Sequence, residues 1–180
     1  MDAKSTALKD QAFTDYQKRR FNDAALHFSQ CIQLLDESRD LINAAEMRNN
    51  LSVVLLELKK PEEALKNLQG TDQVFADAGD VKRQAMALGN MAAALQAQNK
   101  YDEALTLYES SAELFKNTDE KEMRSITLKK IADLQLKTGK QFQAMASLES
   151  SYDQQVKPNA KEKILGGFLR DLIKRITHKS

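Results

Sequence analysis

Proline, cysteine and long apolar runs are all scarce in this sequence, and each scarcity excludes a class of protein. Proline occurs only at positions 61 and 158, so little interrupts helix formation along the chain. The single cysteine, Cys31, cannot form a disulfide within the chain, and we expect a buried structural thiol there. No apolar run approaches the roughly 18 residues of a membrane span, and the N-terminus lacks a signal-peptide core. Together these absences indicate the reducing cytoplasm.

An excess of charge of one sign is also lacking. The 180 residues carry 27 basic and 26 acidic side chains, which leaves no strong basic field. Because nucleic-acid binding usually depends on such a field, we expect no nucleic-acid partner. The length allows either one domain with a sizeable core or a short array of repeats.

Motifs that carry chemistry are missing as well. The two histidines, His27 and His178, lie far apart in the sequence, and no nucleophile and base form a recognisable pair. One cysteine and two separated histidines do not provide the clustered ligands of a metal site. Gly89 and Gly139 stand alone, so no glycine-rich loop is available for a phosphate. We therefore expect no enzymatic activity, no catalytic residue, no cofactor and no metal.

A phrase of nine residues recurs every forty residues. The four copies align without a gap, and they read RFNDAALHF from Arg20, KPEEALKNL from Lys60, KYDEALTLY from Lys100 and KQFQAMASL from Lys140. Their fifth letter is always alanine, at positions 24, 64, 104 and 144. Apolar residues one, three and four positions apart predict an amphipathic helix in each copy.

A second helical pattern precedes these phrases. Leu51, Met91 and Ile131 are in register, and a small residue follows each of them. Each repeat is thus predicted to be two antiparallel helices, and Asp40 and Asp80 are predicted to cap the helices that follow them. Because a lone helix pair cannot bury its own apolar face, the pairs must stack on one another.

With these features the chain resembles the tetratricopeptide repeat (TPR) family, and Tyr101, Ala104 and Tyr108 match its second-helix pattern well. The forty-residue period is similar to the longer repeats of the Pins and kinesin light chain type, since the common period is about 34. The resemblance implies an all-α, right-handed superhelical solenoid. About four helix-turn-helix repeats are predicted within residues 1–156, at about 5–38, 39–78, 79–118 and 119–156.

In TPR proteins the first helix of each repeat lines a concave groove, so the resemblance implies a binding surface on these helices. The residues implied are Lys9, Phe13, Tyr16, Asn49, Val53, Leu56, Met86, Gly89, Ala93, Gln96, Lys129, Asp133 and Leu136. The middle of this set is small and apolar, which suits a helix or an extended peptide. An alternative for any one position is that it packs between neighbouring repeats.

One special ligand can be tested against the sequence. Co-chaperone TPRs hold the acidic tails of heat-shock chaperones with two lysines, two asparagines and an arginine, and here Lys9 and Asn50 match two of these positions. Phe13, Met86 and Asn90 stand where the clamp needs asparagine, lysine and arginine. Since most of the positive charge is missing, we expect such tails not to bind.

After Pro158 the repeat pattern breaks, and residues 157–180 form a basic amphipathic segment. It carries seven basic and two acidic residues, a net +5 that leaves −4 for the rest of the chain. Its predicted apolar stripe consists of Ile164, Leu165, Phe168, Leu169, Leu172, Ile173 and Ile176. Three interpretations stay open: a helix that caps the last repeat, a self-association helix, or a surface helix on anionic lipid.

The functional expectation is a non-catalytic scaffold or adaptor that binds a helix or peptide of a protein partner in the groove. The alternative is an assembly factor that self-associates or docks on a membrane surface through its C-terminal helix, with the membrane disfavoured. The chain is accordingly expected to be a monomer or a homodimer.

Overall fold

A computed structural model of the chain describes residues 1–153 and 160–177, and for Ala160, Ile176 and Thr177 it describes the backbone alone. All regular secondary structure within these ranges is helical, which confirms the prediction of an all-α repeat fold. The helices are α1 (Ala3–Gln17), α2 (Phe21–Glu37), α3 (Leu41–Glu57), α4 (Pro61–Leu68), α5 (Thr71–Asp77), α6 (Val81–Ala97), α7 (Tyr101–Lys116), α8 (Lys121–Lys137), α9 (Gln141–Asp153) and α10 (Ala160–Thr177).

The chain divides into two compact units, an N-terminal unit (Met1–Lys100) and a C-terminal unit (Tyr101–Ser180). In the N-terminal unit α2 packs between α1 and α3, α3 packs against α4 and α5, and α6 packs against α3, α4 and α5. Its core contains large side chains from two successive helices, Phe28 and Leu35 of α2 and Met47 and Val54 of α3, all essentially inaccessible to solvent. The alanines of the repeated phrase, Ala24 and Ala64, belong to the same core.

The second helix of the second repeat differs from the simple prediction, because it is broken into α4 and α5. Gln69 has an extended backbone and Gly70 a left-handed one, with φ of 78°. The hydroxyl of Thr71, which is buried, donates to the carbonyl of Leu68 at 2.8 Å and so fixes the break. Glycine tolerates this backbone at no steric cost, which explains why the helix is interrupted at this position.

In the C-terminal unit α8 packs between α7 and α9, and α10 packs against α9. The aligned alanines Ala104 and Ala144 are again fully buried. Although the sequence pattern breaks after Pro158, the spacing of the helices does not: α10 begins about forty residues after α8, as α8 does after α6. The predicted break of the pattern therefore concerns the residues and not the spacing of the helices.

The first unit also contains a buried charge that joins α1 to α2. Asp15 is 1% exposed, and it lies 2.7 Å from Nδ1 of His27 and also accepts hydrogen bonds from Arg20 and Gln11. Burial opposes ionisation of this carboxyl, but the hydrogen bonds from His27, Gln11 and Arg20 outweigh it and lower the pKa of Asp15. His27 thus has a structural partner in helix packing.

We predict that Asp15→Asn lowers the thermal midpoint at neutral pH. A carboxyl with a lowered pKa in the folded state adds stability above its unfolded pKa of about 3.9 and loses it as the pH falls further. The midpoints of the variant and the wild type should therefore converge in acid, as followed by circular dichroism. Asp10→Asn, at an exposed position of α1, is the control and should leave the midpoint unchanged. A deficit of Asp15→Asn that persists in strong acid would contradict this account.

The short turns between helices share one backbone geometry and recur at regular intervals along the chain. A residue with positive φ ends the helix at Arg19, Arg39, Lys59, Gly79 and Asn99. The amide of the next residue then donates back to a carbonyl of the last helical turn, as from Asp40 to Leu35 and from Asp80 to Phe75, both at 2.8 Å. Asp40 and Asp80 accept the amides of Asn43 and Arg83, which confirms both predicted N-caps.

The equivalent turn residues Arg39 and Gly79 provide a matched test of this geometry. A side chain in the left-handed region costs roughly 1–2 kcal/mol, partly offset by the lower entropy of the unfolded chain. A Cβ at Gly79 would meet nothing within 4 Å, so only backbone strain should act there. We expect Gly79→Ala to lower the free energy of unfolding by about 1 kcal/mol and Arg39→Gly to raise it. Denaturant unfolding measures both, and equal signs would contradict the strain argument.

Candidate protein-binding surface

The residues implied as a binding surface in the N-terminal unit lie on the first helices of three successive repeats. They follow each helix at intervals of about one turn, on α1 (Lys9, Phe13, Tyr16), α3 (Asn49, Val53, Leu56) and α6 (Met86, Gly89, Ala93, Gln96). All of them keep partial solvent exposure except Asn49, which is 5% exposed. We call this set, without Asn49, the first-helix surface.

Glu46 links these three helices at one end of the surface. Its carboxylate lies 3.6 Å from Nζ of Lys9 on α1 and 3.0 Å from Nη1 of Arg83 on α6. Arg83 also pairs with Asp80 at 2.7 Å, and these two carboxylates, despite the cost of partial burial, raise the pKa of its guanidinium. Sequence reasoning missed Glu46 and Arg83, although each lies three residues before a predicted surface residue and so on the same helical stripe.

A partly buried amide pair makes the second link. Nδ2 of Asn90 on α6 donates to Oδ1 of Asn49 on α3 at 2.8 Å, and the hydroxyl of Ser52 donates to the backbone carbonyl of Asn49. Asn49 therefore differs from the prediction, because its side chain is occupied in helix packing. The burial is consistent with hydrogen bonding, since an unpaired buried amide would be costly.

The apolar residues of the surface rest on the core of the unit. Phe13 makes an edge-to-face contact with Phe28, with ring centroids 5.3 Å apart, and Tyr16 lies 5.8 Å from Phe21. Phe13, Tyr16 and Leu56 pack on one buried cluster while they keep part of their surface in solvent. Their positions are thus fixed by packing before any partner arrives.

In the C-terminal unit the predicted residues lie on α8 and do not share one environment. Nζ of Lys129 lies 3.7 Å from Glu162 of α10 and 5.6 Å from the ring of Tyr152, so this lysine is engaged by neighbouring helices. Asp133 and Leu136 are exposed, Leu136 by 49%. The structure therefore holds Lys129 against α10 and leaves the other two accessible.

Asp133 also acts on a buried tyrosine. Tyr108 is 5% exposed, and burial, with a smaller contribution from the negative charge of Asp133, raises its pKa to about 12. The hydroxyl consequently stays protonated at neutral pH.

We predict that the wild type shows a tyrosinate absorbance step near pH 12 that Tyr108→Phe lacks. Asp133→Asn should move this step to lower pH, because the neighbouring negative charge is removed. Tyr101→Phe is the control and should retain the step, and circular dichroism over the same range reports whether the fold persists. A step of Tyr108 at the ordinary value of about 10 would refute the assignment.

The predicted apolar stripe of α10 is divided between two environments. Leu169 is 8% exposed and Gly166 is buried, where an added Cβ would lie 3.1 Å from Cβ of Tyr152, so glycine permits the close approach of α9. Arg170 fixes the same contact through Glu149, at 3.0 Å, and Asp153. Leu172 and Ile173 are half-buried, Ile164, Leu165 and Phe168 are exposed, and the side chain of Ile176 lies outside the described residues.

A cavity of about 710 Å³ lies elsewhere on the N-terminal unit, among α2, α3 and α4. Leu51 and Leu55 contribute buried apolar surface and Leu26 is 54% exposed, while polar residues such as Arg48 and Asn67 also line it. Arg48 is already paired with Asp36 at 2.7 Å. No feature of the sequence pattern predicted this cavity.

Reactive and metal-binding chemistry finds little support in the described part of the chain. Cys31 is fully buried, its thiol lies 3.3 Å from the carbonyl of Ser5, and burial raises its pKa. Within residues 1–153 and 160–177 no group of three or more histidine, cysteine or acidic side chains is arranged to hold a metal ion. None of the helices described is both long and apolar enough to cross a membrane.

Comparison with protein-family models gives one match, to part of the chain. Residues 83–155 match the family model described as tetratricopeptide repeat. The chain has a tetratricopeptide repeat fold. The resemblance predicted from the sequence is thereby confirmed, and proteins with this repeat generally mediate protein–protein interactions. No curated protein matches the chain in sequence.

Solved structures agree on the fold. A putative kinesin light chain with TPR-like repeats from Podosopora anserina is similar over 99% of this chain and 98% of its own, with 16% identity and a TM-score of 0.73. BtubC (BKLC) from P. vanneervenii has a TM-score of 0.77 and 17% identity over 86% of this chain, which spans only 66% of BtubC. The N-terminal domain of stress-induced protein-1 (STI-1) from C. elegans has a TM-score of 0.56 and 24% identity, over 75% of this chain and 99% of that domain. At these identities the likeness is one of fold.

Proposed function

We propose that this chain is a non-catalytic scaffold whose first-helix surface binds an amphipathic helix or extended peptide of a partner protein. The observation that carries the proposal is the half-buried apolar row on α1, α3 and α6, whose helices are tied together by Glu46 and by the pair Asn49 and Asn90. The interaction role of tetratricopeptide repeats supports it.

The chemistry of the surface favours an apolar guest. Phe13, Tyr16 and Leu56 already rest on the core, so a partner that covers them gains apolar burial with little further loss of side-chain entropy. The nearby charges of Lys9 and Arg83 are satisfied by Glu46, so a highly acidic ligand would have to compete with an existing ion pair. Acidic chaperone tails therefore remain poor candidates, since Phe13 and Met86 also replace two polar residues of their clamp.

The wider setting forms part of the same proposal. We place the chain in the cytoplasm, as a monomer or dimer that binds a protein and not a nucleic acid. The balanced charge and the single buried thiol support this setting.

The proposal is tested by affinity capture of partners with full-length variants. Val53→Glu combined with Met86→Glu places two charges among the half-buried residues of the first-helix surface, whereas Leu26→Glu places one charge beside the cavity on α2. We expect a partner retained by the wild type and by Leu26→Glu to bind the double variant at least tenfold more weakly, equivalent to about 1.4 kcal/mol. Circular dichroism verifies that each variant is folded.

Two results of the capture experiment would contradict the proposal. If Leu26→Glu abolishes capture and the double variant does not, the partner binds at the cavity and the first-helix surface is not the site. Equal capture by all three proteins would also refute the proposal.

A further inference from the structure

The helix α10 has apolar residues on two of its sides, and one of these sides is packed against α9. On the packed side Leu169 is 8% exposed, and a Cβ added to Gly166 would lie 3.1 Å from Cβ of Tyr152 on α9. Arg170 holds the same contact through Glu149 of α9, at 3.0 Å. Contact with α9 therefore accounts for one part of the apolar residues of α10.

The apolar residues on the other side of α10 face solvent. Ile164, Leu165 and Phe168 are 74%, 39% and 61% exposed, and their spacing places them together on one helical face. We call these three residues the outer patch. Apolar side chains that are exposed singly need no explanation, but a contiguous group of large ones marks an interaction surface.

Basic side chains extend the line of the outer patch in both directions. Lys161 lies seven residues before Phe168 and Arg175 lies seven residues after it, and both are exposed. Because seven residues make nearly two whole turns of an α-helix, these three side chains project from the same side of α10. The outer patch thus has a cation near each of its ends.

The acidic residues of α10 do not neutralise this side of the helix. Glu162 is half-buried, and its carboxylate lies 3.7 Å from Nζ of Lys129 on α8. Among the side chains of α10 that the structure describes, the exposed charged ones are Asp171 and the basic residues Lys161, Lys163, Arg170, Lys174 and Arg175. Residues 157–180 carry a net +5 and the rest of the chain −4, so an anionic surface attracts this segment and repels the remainder.

These charges oppose contact between two copies of α10 through the outer patch. In an antiparallel twofold pair centred on Phe168, Lys161 of one copy would lie near Arg175 of the other. In a parallel pair each of these basic residues would meet the same residue of the other copy, so like charges meet in both arrangements. An anionic occupant fits the outer patch better than a second copy of this chain.

A bilayer surface supplies the apolar and the anionic part of such an occupant together. Its boundary between headgroups and acyl chains accepts the apolar side chains of a helix that lies in the surface plane, to a depth of about 5–10 Å. The long stems of lysine and arginine let their charges stay at the level of the lipid phosphates. An acidic protein helix would need charges at two fixed positions, whereas a mixed lipid surface offers phosphates at every position. Since α10 is already helical and packed on α9, no free segment has to fold on binding.

We propose that α10 docks this chain on the surface of a bilayer that contains anionic lipid. Ile164, Leu165 and Phe168 enter the boundary between headgroups and acyl chains, and Lys161 and Arg175 bind lipid phosphates on either side of them. The sequence alone disfavours a membrane, but it does not distinguish the packed residues of the apolar stripe from the outer patch. The proposed site belongs to α10 and does not depend on the first-helix surface.

The test measures adsorption of the full-length protein to lipid vesicles by flotation. With vesicles of equal parts phosphatidylserine and phosphatidylcholine we expect saturable adsorption that weakens as salt is added. Adsorption to phosphatidylcholine alone should be at least tenfold weaker. Phe168→Asp should weaken adsorption to the mixed vesicles at least tenfold, whereas Ile126→Asp, at a 54% exposed position of α8, should not. Circular dichroism verifies that both variants are folded.

A second pair of variants tests the charges. Lys161→Glu combined with Arg175→Glu should weaken adsorption to the mixed vesicles at least tenfold, because both cations beside the outer patch are reversed. Lys66→Glu combined with Lys130→Glu, at exposed positions of α4 and α8, changes the net charge equally and should weaken adsorption far less. The contrast separates binding by α10 from a general attraction of the protein to anionic vesicles.

Tryptophan fluorescence tests whether the outer patch enters the bilayer. Because the sequence contains no tryptophan, Phe168→Trp and Ile126→Trp each introduce a single fluorophore. On the mixed vesicles the emission of Phe168→Trp should shift to shorter wavelength and be quenched by lipids with brominated acyl chains. The emission of Ile126→Trp should stay unchanged.

Three outcomes would overturn the inference. The first is no adsorption of the wild type to the mixed vesicles. The second is adsorption that Phe168→Asp leaves unchanged, or that the two charge-reversed variants weaken equally. The third is a wild-type dimer that Phe168→Asp dissociates while vesicle adsorption is absent, which would assign the outer patch to self-association. Val53→Glu combined with Met86→Glu should adsorb like the wild type, so failure here and failure of the first-helix surface are distinguishable.

Discussion

Close contact between helices at one small residue is the constraint on which the rest of this structure depends. The fourth residue of α2, α4, α7 and α9 is alanine, at positions 24, 64, 104 and 144, and each is completely buried. A larger side chain in such a packed position would force the helices apart or displace their neighbours. The repeat thus retains alanine where two helices meet most closely, and it varies the residues further along, where the remaining space differs from pair to pair.

The turns extend this constraint along the chain. A helix pair packs in one way only if its connection holds the second helix at a fixed angle, and here a single left-handed residue and one backward hydrogen bond recur from turn to turn. Arginine, lysine or asparagine occupies several of these positions where glycine would be less strained. The strain is tolerated because stacking on the neighbouring helices, which each pair needs in order to bury its apolar face, determines the conformation.

The parts of the fold that could be predicted from sequence are those that repeat. The helix pairs, the buried alanines, and the caps at Asp40 and Asp80 all follow from a sequence pattern that occurs several times in the chain. The break at Gly70 could not be predicted with the same means, because it occurs once, and a lone glycine in a helical pattern is compatible with either a break or a continuous helix. The orientation of α10 could not be predicted either, because a broad apolar stripe does not show which of its residues will contact α9.

For the candidate binding residues, too, the sequence predicts position but not interactions. Spacing along a helix predicted one binding face that includes Lys9, Asn49 and Lys129. Their interactions, however, are made by residues on other helices, Glu46, Asn90 and Glu162. A one-dimensional pattern gives the direction of a side chain but not its partner, and for a polar residue the partner decides whether the group is available. Apolar residues such as Val53 and Phe168 are less affected, since their role depends mainly on exposure.

Exposure at an apolar position acquires meaning from the repeat itself. In a protein with one core, a phenylalanine in solvent needs no special explanation. In a repeat, positions forty residues apart can be compared directly: Gly166 of α10 is buried against Tyr152, whereas Ile126 of α8 is 54% exposed. The comparison of positions within one chain therefore shows that α10 turns a different side to its neighbour than α8 does, which neither helix would reveal alone.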